Sequence, residues 1–313
     1  MFWSDRAGST RRRRAPHRTR LTFAIALSIA ALAACAVCGA AYAGKAAAKA
    51  ADVETEHLFG FTEGSDIGEA GERELESDST VRSGKTTGAF NDTASELEFK
   101  YTAFESFRIS AAATFSYYDI GGVTGMDDRN QGSLQSLSFN ARYRLLDRDR
   151  APFGMTVSVE PHWGFVDETS GAVIEHFGWE GDFLFDRALV PDLLFGALNL
   201  HYDTDRSETV AGGGADQQPT LGVFLALAGQ AMRGVWIGGE ARYFRAYQGA
   251  GLEIFSGDAL YLGPTLYMKL GEKIWLSAVF DVQARGRAVT APGALDLVDF
   301  ERYQANFRLG FEF

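Results

Sequence analysis

The chain has 313 residues, of which 46% are hydrophobic and 23% charged, with a formal net charge of −11 and two cysteines. An acidic surplus of this size excludes a protein that seeks nucleic-acid phosphates. Two cysteines three residues apart, Cys35 and Cys38, exclude a disulfide framework.

The first element is a leader. Residues 11–20 read RRRRAPHRTR and residues 21–34 read LTFAIALSIAALAA. A basic stretch, a short apolar run and small residues describe a secretory signal peptide over 1–43, with Ala41-Tyr42-Ala43 as the cleavage site. A rival cut lies at Leu32-Ala33-Ala34-Cys35, the box at which lipoproteins are cleaved and acylated. Cleavage after Ala43 removes both cysteines and leaves 23 basic against 40 acidic residues. No later apolar run is long enough for a membrane helix.

Residues 44–70 read as an N-terminal periplasmic or linker segment. Gly60, Gly64, Gly68 and Gly71 recur among acids, which suits a flexible connection. The same run offers a calcium site or a partial plug inside a barrel as alternatives. Gly84-Lys85-Thr86 lacks the upstream glycine of a phosphate-binding loop, because Ser79 stands there.

From residue 71 onward the pattern is β. Segment 71–83 places Glu72, Glu74, Glu76 and Asp78 on one face and is the preferred first strand. Phe107, Ile109, Ala111, Ala113, Phe115 and Tyr117 alternate with polar or small residues. Leu137, Phe139, Ala141, Tyr143 and Leu145 do so against Ser138, Asn140, Arg142 and Arg144. Segment 153–165 is the clearest, with Val157, Val159 and Trp163 opposite Thr156, Ser158, Glu160 and His162. In 274–284, Leu276, Phe280 and Val282 oppose Trp275, Asp281 and Gln283. A two-residue period gives each strand one apolar and one wet face.

Connections alternate between short and long, the grammar of a transmembrane β-barrel with short periplasmic turns and longer extracellular loops. In hydrocarbon only a closed sheet satisfies every backbone group. The expectation is therefore an all-β, closed antiparallel transmembrane barrel over 71–313, with about twelve strands and ten or fourteen as neighbours. A periplasmic β-sandwich is the competing architecture; its apolar faces would turn inward.

The last strand carries a resemblance. Phe307, Leu309, Phe311 and Phe313 fall on one face, and this ending resembles the C-terminal insertion signal of Gram-negative outer-membrane β-barrels. Gly310 departs from that signal by standing within the final four residues. Residues 137–161 resemble hairpins of uncharacterised outer-membrane transporter barrels, some linked to aromatic-compound degradation. The resemblance implies the outer membrane as location. It also implies membrane lipid and lipopolysaccharide, the barrel-assembly machinery and an unidentified small solute as partners.

The alternation sends Glu74, Glu76, Glu98, Arg108, Arg142, Arg144, Glu180, Glu240, Arg242, Asp281, Arg302 and Arg308 into the lumen. Such a lining serves either a narrow channel or transporter for small solutes, or a plugged structural or surface-interaction barrel. An outer-membrane hydrolase is the third reading. Strand pairing through the turns would bring Glu160 near His176 and His176 opposite His201, a grouping suited to acid–base chemistry or metal ligation. Inward histidines more commonly join a lumen hydrogen-bond network, so no cofactor or metal is expected.

Overall fold

Alternating apolar and polar residues build strands, and strands are what the computed structural model contains; it describes residues 53–207, 216–249 and 251–313. The leader, both cleavage sites and residues 44–52 of the linker segment lie outside the described residues. The strands run in chain order as β1 (Arg73–Ser83), β2 (Ala89–Phe104), β3 (Phe107–Gly121), β4 (Arg129–Leu146), β5 (Gly154–Val166) and β6 (Val173–Val190). They continue as β7 (Leu194–Ser207), β8 (Asp216–Gln217), β9 (Thr220–Met232), β10 (Val235–Gln248), β11 (Ile254–Lys269), β12 (Ile274–Ala288) and β13 (Tyr303–Glu312). Among the described residues there is no α-helix.

Neighbours in sequence pair antiparallel around the wall, and β1 pairs with β13 from Glu74↔Glu312 to Ser83↔Tyr303. The two-residue β8 only extends the outer end of β7. Twelve strands therefore close the barrel, and the expected first strand, 71–83, corresponds to β1. An even count returns both ends of the wall to one rim. Connections at that rim include residues 105–106, 191–193 and 233–234, whereas the opposite rim carries loops as long as 289–302.

The outer face decides between barrel and sandwich. Leu97, Phe99, Phe139, Val159, Trp163, Phe177, Phe280 and Phe307 are all exposed, while their polar neighbours Lys100, Asn140, Ser158, His162, Asp281 and Arg308 are buried. Apolar-out and polar-in is the inverse of a soluble sandwich and the pattern of a wall standing in lipid.

The lumen is not empty. Residues 53–70 run inside the wall at the rim where β1 begins and β13 ends, and Thr55, Glu56, Leu58, Phe59, Thr62 and Ile67 are wholly buried there. The segment does not stand free between leader and barrel, because its two sides match two kinds of inner wall. Leu58 and Phe59 pack on Phe195, Trp236, Tyr267 and Trp275, from β7, β10, β11 and β12. Burying two such side chains is worth about 1.5–3 kcal/mol each. The opposite side of the segment presents carboxylates to β1–β4 and β13.

Candidate functional site

The charged side of this plug is held by a network. Glu56 accepts both prongs of the Arg108 guanidinium on β3, and also lies 3.1 Å from Arg142 Nη1 and 3.3 Å from Lys100 Nζ. Arg142 reaches on to Glu63 at 2.7 Å, and Arg308 joins Glu63 at 3.1 Å to Asp78 at 2.7 Å. Lys100 further binds Glu74 at 3.1 Å, and Glu76. Period-two alternation on adjacent strands aims these cations at one level of the lumen. Buried charges are tolerated here because each has a partner.

Hydrogen bonds fix the rest of the segment. Asn199 accepts from the Glu63 N–H and donates to the Glu63 carbonyl, both at 2.8 Å, so the plug backbone is clamped by one amide. The Thr62 N–H donates to Glu240 at 2.8 Å. Ser65 donates to Asp186 at 2.8 Å, and Arg148, from the turn 147–153, bridges Asp186 at 2.9 Å and Asp66 at 2.6 Å. Arg242, paired with Asp281 at 2.8 Å, lies 3.7 Å from the ring centre of Phe61.

Cavities lie on both sides of this barrier. At the rim where β1 begins and β13 ends, a polar vestibule of about 700 Å³ is lined by residues including Glu54, Glu72, Arg144 and Lys269. Beyond the plug a central cavity of about 480 Å³ carries twelve carboxylates against five lysine or arginine side chains. A further outer cavity of about 380 Å³ is bounded by the loop rim. Over that rim folds loop 289–302. Its carbonyls at Asp296 and Glu301 accept from Gln283 Nε2 at 2.8 and 3.1 Å, and Glu301 pairs with Lys85 at 2.7 Å. Burial pushes the Asp296 carboxyl up to about 6.

The residues expected in the lumen separate into groups. Glu74, Glu76, Arg108, Arg142, Glu240, Arg242, Asp281 and Arg308 surround the plug, while Glu98 and Glu180 line the central cavity. Arg144 faces the vestibule and donates to the Glu105 carbonyl. Arg302 is exposed instead, its guanidinium over Tyr303 at 5.5 Å, because the wall strand begins only one residue later. The plug's own Glu56 and Glu63, Arg148 of the turn 147–153, and Asp186 and Asn199 on the wall complete the site, and the alternation does not mark them. For the first pair no periodic signal existed.

The grouping Glu160, His176 and His201 is not assembled. Glu160 pairs across with Glu180, and His176 with Gly164 and Ser207. His201 stands opposite Asp182 and binds it at 2.8 Å. Six strand residues, about 20 Å, separate the level of Asp182 from that of His176.

The sequence model of a family described as "Family of unknown function (DUF6662)" matches residues 51–313. No curated protein matches the chain. Among solved structures it is similar to the COG4313 outer membrane channel from Pseudomonas putida F1. That likeness has a TM-score of 0.55 at 9% identity, covering 80% of this chain and 98% of that one. It is also similar to the beta domain of the Bordetella autotransporter BrkA, with a TM-score of 0.50 at 14% identity over 78% and 100%. At these identities the likeness is one of fold: the wall is a barrel of the outer-membrane type.

Proposed function

The chain belongs to the DUF6662 family, whose description assigns no function, and we propose from its geometry that it is an outer-membrane channel or transporter for small solutes. Residues 53–70 are its gate. The start of β1, the end of β13 and the short turns face the periplasm, and loops such as 289–302 face the exterior. The leader 1–43 serves export, and the exposed Phe307, Leu309, Phe311 and Phe313 of β13 serve insertion.

One observation carries this reading: polar cavities of about 700 and 480 Å³ are kept apart by a single short segment that no covalent bond fastens across the lumen. A wall filled by its own side chains would leave no such space. With twelve carboxylates over five cationic groups, the central cavity favours cations and neutral polar solutes over anions.

Planar-bilayer recordings of the refolded chain, with and without residues 53–70, test the proposal. Both forms are first checked for a folded barrel by heat-dependent gel mobility. The shortened form is expected to give discrete cation-preferring openings, and the full chain rare ones. Silence from a folded, shortened barrel overturns the channel and leaves a structural barrel.

A further inference from the structure

Three groups of histidine and carboxylate side chains converge among the described residues. In the first, His57 and Glu74 are already served by the Lys100 ammonium, 3.4 Å from His57 Nε2 and 3.1 Å from Glu74. In the second, His201 is the single imidazole and its Nδ1 is engaged by Asp182. The third stands at the outer mouth and is built differently.

Its frame is two rows across three strands. His162 of β5, Gly178 of β6 and Asp205 of β7 form one row; Gly164, His176 and Ser207 form the next. Each imidazole thus stands beside a glycine on the neighbouring strand. A β-carbon at Gly178 would fall 2.3 Å from His162 Nε2 and 2.2 Å from Asp205 Oδ1; one at Gly164 would fall 1.8 Å from His176 Cε1. Any larger residue at either place would push a ring away. The two glycines let the rings converge to 6.1 Å between centres, nearly at right angles.

Four donors meet in the space so formed. Asp205 Oδ1 lies 2.8 Å from His162 Nε2 and 3.5 Å from His176 Nε2. Glu168, from the loop joining β5 and β6, brings a carboxylate, and all four donor atoms lie within 4.8 Å of one another. His176 Nε2 is buried and makes no hydrogen bond, a polar atom left without a partner. The outer cavity beside the cluster is walled by Asp167, Glu168, Asp203, Asp205 and Asp299, with no lysine or arginine.

We propose that His162, His176, Asp205 and Glu168 bind a divalent transition-metal ion of the zinc class at the outer mouth. Two imidazoles with two carboxylates suit a borderline ion such as Zn²⁺, whereas Ca²⁺ and Mg²⁺ select oxygen ligands. Ligands at 2.0–2.1 Å from a tetrahedral ion stand about 3.3 Å apart, so the cluster closes by small side-chain and loop movements. Both Nε2 atoms must present lone pairs, so His162 binds the ion with its hydrogen on Nδ1 and exchanges its hydrogen bond to Asp205 for a bond to the metal. The ion ties the loop of Glu168 to β5, β6 and β7. This site does not depend on conduction: a silent barrel would hold it equally.

The test is calorimetric titration of the refolded, untagged chain, freed of metal, with Zn²⁺ and separately with Ca²⁺. One Zn²⁺ per chain is expected, with no saturable Ca²⁺ binding at equal concentration. His162→Ala and His176→Ala should each weaken Zn²⁺ by more than about 100-fold, beyond the cost of losing an outer-shell partner. His201→Ala should leave it unchanged. As a readout on the unaltered chain, Co²⁺ should give the intense visible absorption of a tetrahedral site, erased by added Zn²⁺. No stoichiometric Zn²⁺ binding, or equal affinity in the folded His162→Ala and His176→Ala chains, overturns the proposal.

Discussion

His57 of the plug lies flat against Trp275 of β12, with ring centres 3.9 Å apart and planes 11° from parallel. The indole in turn lies over Gly310 of β13, its cross-strand partner. A β-carbon at Gly310 would fall 2.1 Å from the indole ring. The glycine that departs from the insertion-signal pattern is therefore the floor on which the plug is stacked. Gly310→Val is expected to displace Trp275 and loosen the plug, at a cost of about 1–3 kcal/mol for overpacking. Single-channel recording should then show frequent openings from the full chain. Openings as rare as those of the parent would count against this account.

Glu56 is a sharper lever, because removing one partner of a buried pair leaves the other charge uncompensated. Glu56→Gln keeps the size of the side chain but leaves Arg108 without its counter-charge, and should cost the docked plug about 3–5 kcal/mol. Limited proteolysis between residues 53 and 70 should accelerate accordingly, while heat-dependent mobility of the wall changes little. Arg150→Gln removes an exposed pair with Asp147 and should leave the cleavage rate near that of the parent.

The wall gives a two-faced prediction. Val159→Arg and Phe280→Arg put a charge into lipid and should each destabilise the barrel by about 2–4 kcal/mol near mid-bilayer. Ala112→Lys, on the inner face opposite Glu98, should cost much less. Alternation alone would also tolerate Thr156→Arg. Thr156 is wholly buried, however, and donates to the Ser65 carbonyl, so an arginine there should expel the plug. Urea unfolding in lipid vesicles ranks the four variants.

Loop 289–302 should respond to pH. The Asp296 carboxyl is raised to about 6 by burial, with Asp299 beside it adding repulsion, against about 3.8 when unfolded. A raised acid favours the packed loop most at low pH, where both states are protonated. That advantage declines as pH climbs from about 4 through 6, because the unpacked loop ionises more readily. A nitroxide attached at Thr290→Cys should gain mobility between pH 4 and pH 8, and Asp296→Asn should flatten the change.

Much of the wall was legible because lipid and lumen impose opposite demands on alternate residues. Trp275, Asp281 and Gln283 were assigned inward against Leu276, Phe280 and Val282, and that is how β12 stands. Lumen position followed from parity for Arg108, Arg142 and Arg308, but failed at Arg302, where the strand had not yet begun. Parity also says nothing about which inward residues meet. That depends on register, which sets His176 level with Gly164 and Ser207, and His201 level with Asp182. Hence Glu160, His176 and His201 were grouped, while His162 and Asp205 were the true neighbours of His176. The plug was least legible. It has no period, and it is held by pairs such as Glu56–Arg142, which lie 86 residues apart.

The seam between β1 and β13 has a kinetic consequence. Arg308 stands on the strand that seals the wall, yet its guanidinium also holds Glu63, 245 residues earlier in the chain. Contacts of such separation form late, after shorter hairpins have shortened the effective loop. Sealing the cylinder and seating the plug are thus one event in folding time. Under the proposed function, a barrel assembled from this chain would be shut from the moment it is complete, and opening would be a separate transition that follows.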